Sequence, residues 1–114
     1  MEKIFEQNLL YDFYGELLTP HQQNIYEDAV YNDMSLSEIA QEQGISRQGV
    51  HDLIKRCDRI LQEYEEKLHL LERFQETKKI AAEIHHLATE LADNEEADKL
   101  VKIKALSKQL IEEL

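Results

Sequence analysis

A group of hydrogen-bond donors lies within residues 43–59, on one face of a predicted helix. We call it the donor group, and its members are Arg47, Gln48, His51, Lys55, Arg56 and Arg59. Arginine can bind guanine, and glutamine adenine, through base edges in the major groove of DNA. Arg47 and Gln48 come first along this helix, at the end that usually meets base edges. Lys55, Arg56 and Arg59 are better placed for backbone phosphates. These residue types predict recognition of DNA by contact, with no bond made or broken.

The charge of the chain opposes this chemistry. The formal net charge is -11, and residues 1–42 carry one lysine against nine acids, a balance of -8. Residues 43–59 carry four cations against two acids, a balance of +2, and form the only net-positive window. The acids around the donor group are Glu27, Asp28, Asp33, Glu38, Glu42 and Asp52. Because DNA is a polyanion, the sequence predicts a weak contact unless a second copy or a partner adds to it.

The donor group is positioned by two short helices and a tight turn, within the stretch SLSEIAQEQGISRQGVHDLIKR, residues 35–56. An S-x-x-E capping box should begin the first helix, and a glycine suits the left-handed turn that ends it. A small residue is needed where the helices cross, a serine can cap the second helix, and an apolar residue holds it in place. The residues that meet these requirements are Ser35, Glu38, Ala40, Gly44, Ser46 and Val50. An ordinary helical corner would explain the apolar pattern but not this alanine and glycine together, so the sequence predicts a helix-turn-helix.

The rest of the chain is also predicted to be helical. It has three glycines and one proline, and strong helix formers dominate its composition. Apolar spacing predicts a first helix over residues 4–18, and Thr19 with Pro20 predicts the start of a second. The second helix of the motif is predicted to reach residue 70 or beyond, because its apolar series has no breaker. The tyrosines fall near apolar stripes and are predicted to pack in the core.

We expect an all-α fold in two segments. Residues 1–71 form a helix-turn-helix domain, winged-helix-like or similar to sigma-factor region four, ending in a long helix. Residues 72–114 form a hairpin of amphipathic helices, and Asp93 with Glu96 predicts a capping box for the last helix. These helices carry more apolar surface than one small core can cover, which favours packing or a homodimer that sets two recognition helices side by side.

Two overlapping stretches of the sequence resemble known families. LLTPHQQNIYEDAVYNDMSLSEIAQEQGISRQGVHDLIKR resembles the fourth-region helix-turn-helix of bacterial sigma factors. The longer run from Leu9 to Leu71, which begins LLYDFYGELLTPHQQ and ends QEYEEKLHLL, is more similar to the YlxM family, small bacterial proteins associated with the signal recognition particle pathway. This resemblance implies a cytoplasmic regulatory protein, linked to the particle mainly by neighbouring genes. Sigma-type domains surround the recognition helix with basic residues, whereas acids precede it here.

Two functions therefore remain open. The first is a DNA-binding regulatory protein that takes part in the signal recognition particle pathway. The second is a protein interaction module that does not bind DNA and associates with the protein or RNA of that particle. In the second case, the acidic residues 1–42 would meet a basic partner.

Other chemistries find less support in the sequence. No nucleophile stands beside a base and no glycine-rich phosphate loop occurs, so we expect neither an enzyme nor a cofactor. Glu66 with His69, and Glu83 with His86, have a spacing known from di-iron sites, but they predict solvated helix faces and no metal site. Cys57 occupies an apolar helix position, typical of a core residue. The start MEKIFEQNLL lacks the features of a signal peptide, so we expect a cytoplasmic protein without membrane insertion.

Overall fold

A computed structural model describes residues 3–94 and 97–113, without the side chains of residues 92–94 and 97. All regular structure in these ranges is helical, which confirms the all-α prediction, and no β-hairpin wing follows the helix-turn-helix there. The helices are α1 (Lys3–Tyr14), a 3-10 turn (Gly15–Leu17), α2 (Pro20–Val30), α3 (Leu36–Gln43), α4 (Arg47–Leu68), α5 (Leu70–Asn94) and α6 (Ala97–Glu113). The chain divides into two compact units, Met1–Leu71 and Glu72–Leu114.

Helix α2 begins with a capping box. The Thr19 hydroxyl accepts a hydrogen bond from the Gln22 backbone N–H at 3.2 Å, and the Gln22 side chain accepts one from the Thr19 N–H at 3.0 Å. Pro20 occupies the first helical position, where its missing N–H has no partner to lose. Local hydrogen bonds therefore define the start of α2.

The helix-turn-helix is held by the same kind of local contacts. Ser35 and Glu38 form a reciprocal capping box at the start of α3, with both hydrogen bonds at 3.1 Å. These bonds hold the pKa of Glu38 below its usual value. Gly44 ends α3 in the left-handed conformation at φ 69°, and the Ser46 hydroxyl accepts the Gly49 N–H at 2.9 Å to begin α4. The start and end of α3 and the start of α4 thus each satisfy part of their orphan backbone groups locally.

Replacement of Gly44 by alanine is expected to lower the free energy of unfolding by about 1–2 kcal/mol, because an L-residue with a Cβ is strained in the left-handed region. Apart from Gly44 itself and its chain neighbours, nothing lies within 4 Å of the position that a Cβ would take, so the cost comes from the backbone and not from a clash. Urea denaturation measures the loss. Gly44→Asn is the matched control: asparagine tolerates this region, and a loss as large as that of alanine would contradict the explanation.

Two clusters of apolar side chains form the core of the first unit. The smaller joins α2, α3 and α4 through Ile25, Ile39, Ala40 and Val50. The larger joins α1, α2 and α4 and reaches the start of α5; its buried members are Leu10, Tyr14, Leu18, Tyr26, Val30, Cys57, Leu61 and Leu71. Ile39 and Val50 are each 0% exposed, so the two helices of the motif are locked together by close packing.

Tyrosines link the helices of this unit through carboxylates. Four phenol groups donate hydrogen bonds: Tyr11 to Glu27 (2.7 Å), Tyr14 to Glu65 (2.6 Å), Tyr26 to Asp58 (2.6 Å) and Tyr31 to Asp12 (2.8 Å). Tyr11 also stacks on Tyr26, with ring centroids 5.5 Å apart. Part of the acidity of the chain therefore serves to pair tyrosine phenols, three of them on buried or half-buried residues.

We expect the protein to lose stability as the pH rises above 10. Burial, together with the hydrogen bond to a carboxylate, raises the pKa of Tyr11, Tyr14 and Tyr26 above the ordinary value of 10.0. Above that value the unfolded chain releases phenol protons that the folded chain retains, so the contribution to stability is complete below pH 10 and falls as the pH rises. Circular dichroism and phenolate absorbance, recorded together against pH, test this. Phenolate absorbance that reaches its full value while the helical signal is unchanged would contradict it.

Helix α4 ends earlier than the apolar pattern predicts. The expected helix to residue 70 or beyond stops at Leu68, because His69 takes the left-handed conformation at φ 56°. The Tyr14 hydroxyl accepts the Leu70 N–H at 3.0 Å, and the Glu65 carboxylate accepts the Leu71 N–H at 3.0 Å. The Tyr14 hydroxyl comes from a distant part of the chain, and together with the Glu65 carboxylate it satisfies the first N–H groups of α5. The apolar period alone therefore does not reveal the break.

The second unit contains α5 from Glu72 onward, together with α6. Ile80 and Leu87 on α5 are buried, and Ile103, Leu106 and Leu110 on α6 are half-buried. Glu90 on α5 and Lys99 on α6 form an ion pair at 3.2 Å. The predicted capping box of Asp93 and Glu96 lies outside the residues whose side chains are described. Within the described ranges, no helix has both the length and the apolar character needed to cross a membrane.

Candidate nucleic-acid interface

Helix α4 positions the whole donor group. Its inner face is fixed by Val50, Cys57 and Leu61, each 0% exposed. The helical period then turns the other side of α4 outward, and every member of the donor group is exposed: Arg47, Gln48, His51, Lys55, Arg56 and Arg59. The group is nevertheless distributed over three neighbouring surfaces, because α4 packs against three other helices.

The start of α4 and the start of α3 form the first surface. Arg47, Gln48 and His51 line a groove of about 400 Å³ together with Leu36. These donors are therefore adjacent, at the N-terminal end of the recognition helix. A donor cluster in this position can hydrogen-bond to the edge of a base.

The start of α2 forms the second surface with the opposite flank of α4. Arg56 lines a groove of about 390 Å³ with His21, Gln22 and Thr19, next to Asp52. Sequence reasoning did not select His21. The sequence feature that could have indicated this residue is its place in the first turn of α2, because the N-terminal end of a helix favours an anion.

The third surface lies between α1 and α4. Lys55 and Arg59 line a cleft of about 360 Å³, to which α1 contributes Lys3. The predicted phosphate-binding residues are thus separated, with Arg56 on one flank of α4 and Lys55 with Arg59 on the other. Sequence reasoning also missed Lys3, although it is the only lysine among residues 1–42 and no arginine occurs there.

One acid, Asp52, lies within the donor group and contacts two of its members. The Gln48 side-chain amide donates to the Asp52 carboxylate at 2.9 Å, and His51 Nδ1 lies 3.7 Å from the same oxygen. The Gln48 amide would have to exchange this partner for a base edge. Asp52 therefore limits both the charge of the surface and the availability of its donors.

Several of the acids that surround the donor group have structural partners. Glu27 accepts from Tyr11, Asp28 accepts from Asn32 at 2.9 Å, and Glu38 belongs to the capping box of α3. Asp33 and Glu42 are exposed. Part of the negative charge near α4 is therefore already hydrogen-bonded within the fold, although it still repels a polyanion.

Cys57 has the properties of a core residue. It is 0% exposed, and burial, reinforced by the nearby Asp58 carboxylate, raises the pKa of its thiol to about 11. The thiolate that attacks or binds metals is thus disfavoured near neutral pH.

Comparison with known proteins supplies the family. Residues 1–109 match the family described as "UPF0122: Putative helix-turn-helix protein, YlxM / p13 like". The chain belongs to this family. The match confirms the predicted resemblance and extends beyond the expected run of residues 9–71, since it includes most of the second unit.

Relatives of the family align along nearly their whole length. A UPF0122 protein of Desulforamulus reducens is 39% identical, covering 98% of this chain and 96% of the relative. One of Anoxybacillus flavithermus is 45% identical, covering 89% and 93%, and one of Bacillus cereus is 44% identical, covering 90% and 94%. The YlxM-like chain is therefore similar to these relatives across both of its units.

Proposed function

We propose that this YlxM-like protein is a cytoplasmic, non-enzymatic regulatory protein that binds duplex DNA through α3 and α4. The observation that carries the proposal is the exposed cluster of Arg47, Gln48 and His51 at the start of the recognition helix. Further support comes from the cations of α4, since Arg47, Lys55, Arg56 and Arg59 make no ion pair with a carboxylate among the described residues.

The proposed mode of binding divides these residues by task. Arg47 and Gln48 contact base edges, and His51 supports them at the same end of α4. Lys55, Arg56 and Arg59 neutralise backbone phosphates on the flanks of the helix. With about four cations engaged, release of counterions gives a shallow salt dependence and modest affinity.

A homodimer would compensate for the modest affinity of one copy. In the second unit, Phe74 on α5 and Leu100, Val101 and Ile111 on α6 are exposed at 45–72%. Exposed apolar side chains favour association with a second copy where they lie together on one surface. We assign the dimer contact to this unit, which would bring two recognition helices to one DNA molecule.

A second candidate function rests on the charge of the first unit. Residues 1–42 carry one lysine against nine acids, and the apolar side chains of Ile4 and Phe5 are exposed on α1. An acidic surface with exposed apolar groups suits a basic protein partner. In this case the protein would take part in the signal recognition particle pathway by binding the protein component of the particle.

One titration distinguishes the two functions. Labelled duplex fragments of genomic DNA, the RNA of the particle and its purified protein component are each titrated with the protein, at low and at physiological salt. The DNA-binding proposal expects saturable binding to DNA that weakens with salt. Binding to the particle's protein alone, with no DNA binding even at low salt, would favour the second candidate and exclude the first.

Replacement of Asp52 by asparagine is expected to strengthen DNA binding about fivefold, because removing a charge about 4 Å from a phosphate is worth about 1 kcal/mol. Asparagine retains a carbonyl oxygen for the Gln48 amide, so the structure of α4 is preserved. Glu63→Gln, further along the exposed side of α4, makes the same change in net charge and is the control. Fluorescence anisotropy measures both; equal gains in the two variants would mean that only the net charge matters.

A further inference from the structure

The cleft between α1 and α4 concentrates positive charge in an otherwise acidic segment. Lys3 from α1 and Lys55 and Arg59 from α4 line it, with Glu6 and Asp58 as the acids. Three cations against two acids leave a positive balance. Among the described residues, none of the three cations forms an ion pair with a carboxylate.

Lys3 and Lys55 line the same cleft and lie near each other. The contact with the Lys3 ammonium lowers the pKa of Lys55 below its ordinary value, and Asp58 offsets this only in part. Two ammonium groups in contact repel each other, and an anion between them would remove the repulsion.

The Asp58 carboxylate is already engaged by other groups. Its Oδ1 atom accepts the Tyr26 hydroxyl at 2.6 Å and the Gln7 side-chain amide at 2.9 Å. These bonds hold the carboxylate on the inner side of the cleft, against the core residue Tyr26. The ammonium groups and the Arg59 guanidinium remain available to a ligand.

We propose that Lys3, Lys55 and Arg59 form a phosphate-binding cleft that holds one backbone phosphodiester of the bound DNA. This inference rests on the proposed function and extends it, since it makes α1 part of the DNA contact. Two ammonium groups and a guanidinium supply the donors that a tetrahedral oxyanion accepts. The helix-turn-helix thus binds the DNA with help from the first helix of the chain.

The cleft itself is tested with inorganic phosphate. The probe is titrated into ¹⁵N-labelled protein at constant ionic strength, with chloride as the balancing anion. We expect saturable shifts of the backbone amides of Gln7, Lys55 and Arg59. The shifts should disappear in Lys3→Gln and persist in Lys78→Gln, which removes an exposed lysine of α5.

The DNA contact is tested with the same two variants. Loss of one phosphate contact should reduce the magnitude of the slope of log affinity against log salt concentration by about 0.9. The ratio of the wild-type affinity to the affinity of Lys3→Gln should then fall about 3.5-fold as the salt concentration rises from about 50 to 200 mM. Lys78→Gln should keep the wild-type slope.

The results separate this inference from the proposed function. If DNA binds, but Lys3→Gln keeps the wild-type slope and phosphate shifts no amide of the cleft, the inference is overturned and DNA binding by α4 stands. If phosphate shifts the cleft amides in wild type but not in Lys3→Gln, and no DNA binds, the proposed function fails while the cleft remains a site for free phosphate. A reduced slope together with the shifts supports both.

Discussion

Replacement of Arg47 by alanine is expected to weaken binding to the preferred DNA sequence about 5- to 150-fold, since a bidentate contact to a base is worth about 1–3 kcal/mol. The exposed guanidinium lies at the start of α4, beside Gln48 and His51. Because the contact reads one base, discrimination at that position should also be lost. Fluorescence anisotropy with the preferred duplex, and with duplexes changed at single positions, measures affinity and discrimination together.

Lys55→Ala is the matched control for this prediction. It removes a cation from the same helix, but from the flank that faces α1. A phosphate contact carries no sequence information, so we expect a uniform loss of affinity and a salt slope smaller by about 1. If Arg47→Ala also weakens all duplexes equally, Arg47 does not contact a base, and the assignment of the start of α4 to base recognition is wrong.

Replacement of Ile39 by alanine is expected to lower the free energy of unfolding by about 2–5 kcal/mol. Ile39 is 0% exposed and packs with Ile25, Ala40 and Val50 where α2, α3 and α4 meet. Truncation leaves a cavity that this packed junction cannot fill. Urea denaturation followed by circular dichroism measures the change.

The conservative variant Ile39→Val separates packing from other effects. It removes one methylene group and should cost only about 0.5–1.5 kcal/mol. DNA binding by Ile39→Ala should fall only as far as the folded fraction falls, because Ile39 does not reach the surface. A folded Ile39→Ala protein with greatly weakened DNA binding would show that packing at this junction also sets the position of α4.

The parts of the fold that depend on local contacts were accessible from the sequence. A capping box joins residues three apart, so Ser35 and Glu38 predict the start of α3 whatever the rest of the fold is. The left-handed turn at Gly44 follows in the same way from one residue type. The all-α fold and the YlxM resemblance were likewise predicted and are confirmed.

The features that depend on distant residues were not accessible. The partners of the tyrosines are separated from them in sequence, as Tyr14 and Glu65 are, and no local pattern pairs them. The same pair supplies acceptors to the first N–H groups of α5, so the end of α4 at Leu68 has a long-range cause. The distribution of the donor group over three surfaces also required the packing of α1 and α2 against α4, because a helical period alone does not specify the neighbours of a face.

Several acidic residues of the first unit have structural roles. Asp12, Glu27, Asp58 and Glu65 each accept a hydrogen bond from a tyrosine. Glu38 caps α3. A considerable part of the negative charge in the first unit is thus part of the architecture, and the charge that opposes DNA most directly is Asp52 within the donor group.

The central claim is that α4 binds duplex DNA as a cationic surface. Its most direct test is the affinity of wild-type protein for labelled genomic duplexes, measured by anisotropy over a series of salt concentrations. The proposal predicts saturable binding at about 50 mM salt, with a slope of log affinity against log salt concentration of about -2 to -4 per copy of the chain. Absence of binding at the lowest salt concentration would contradict it.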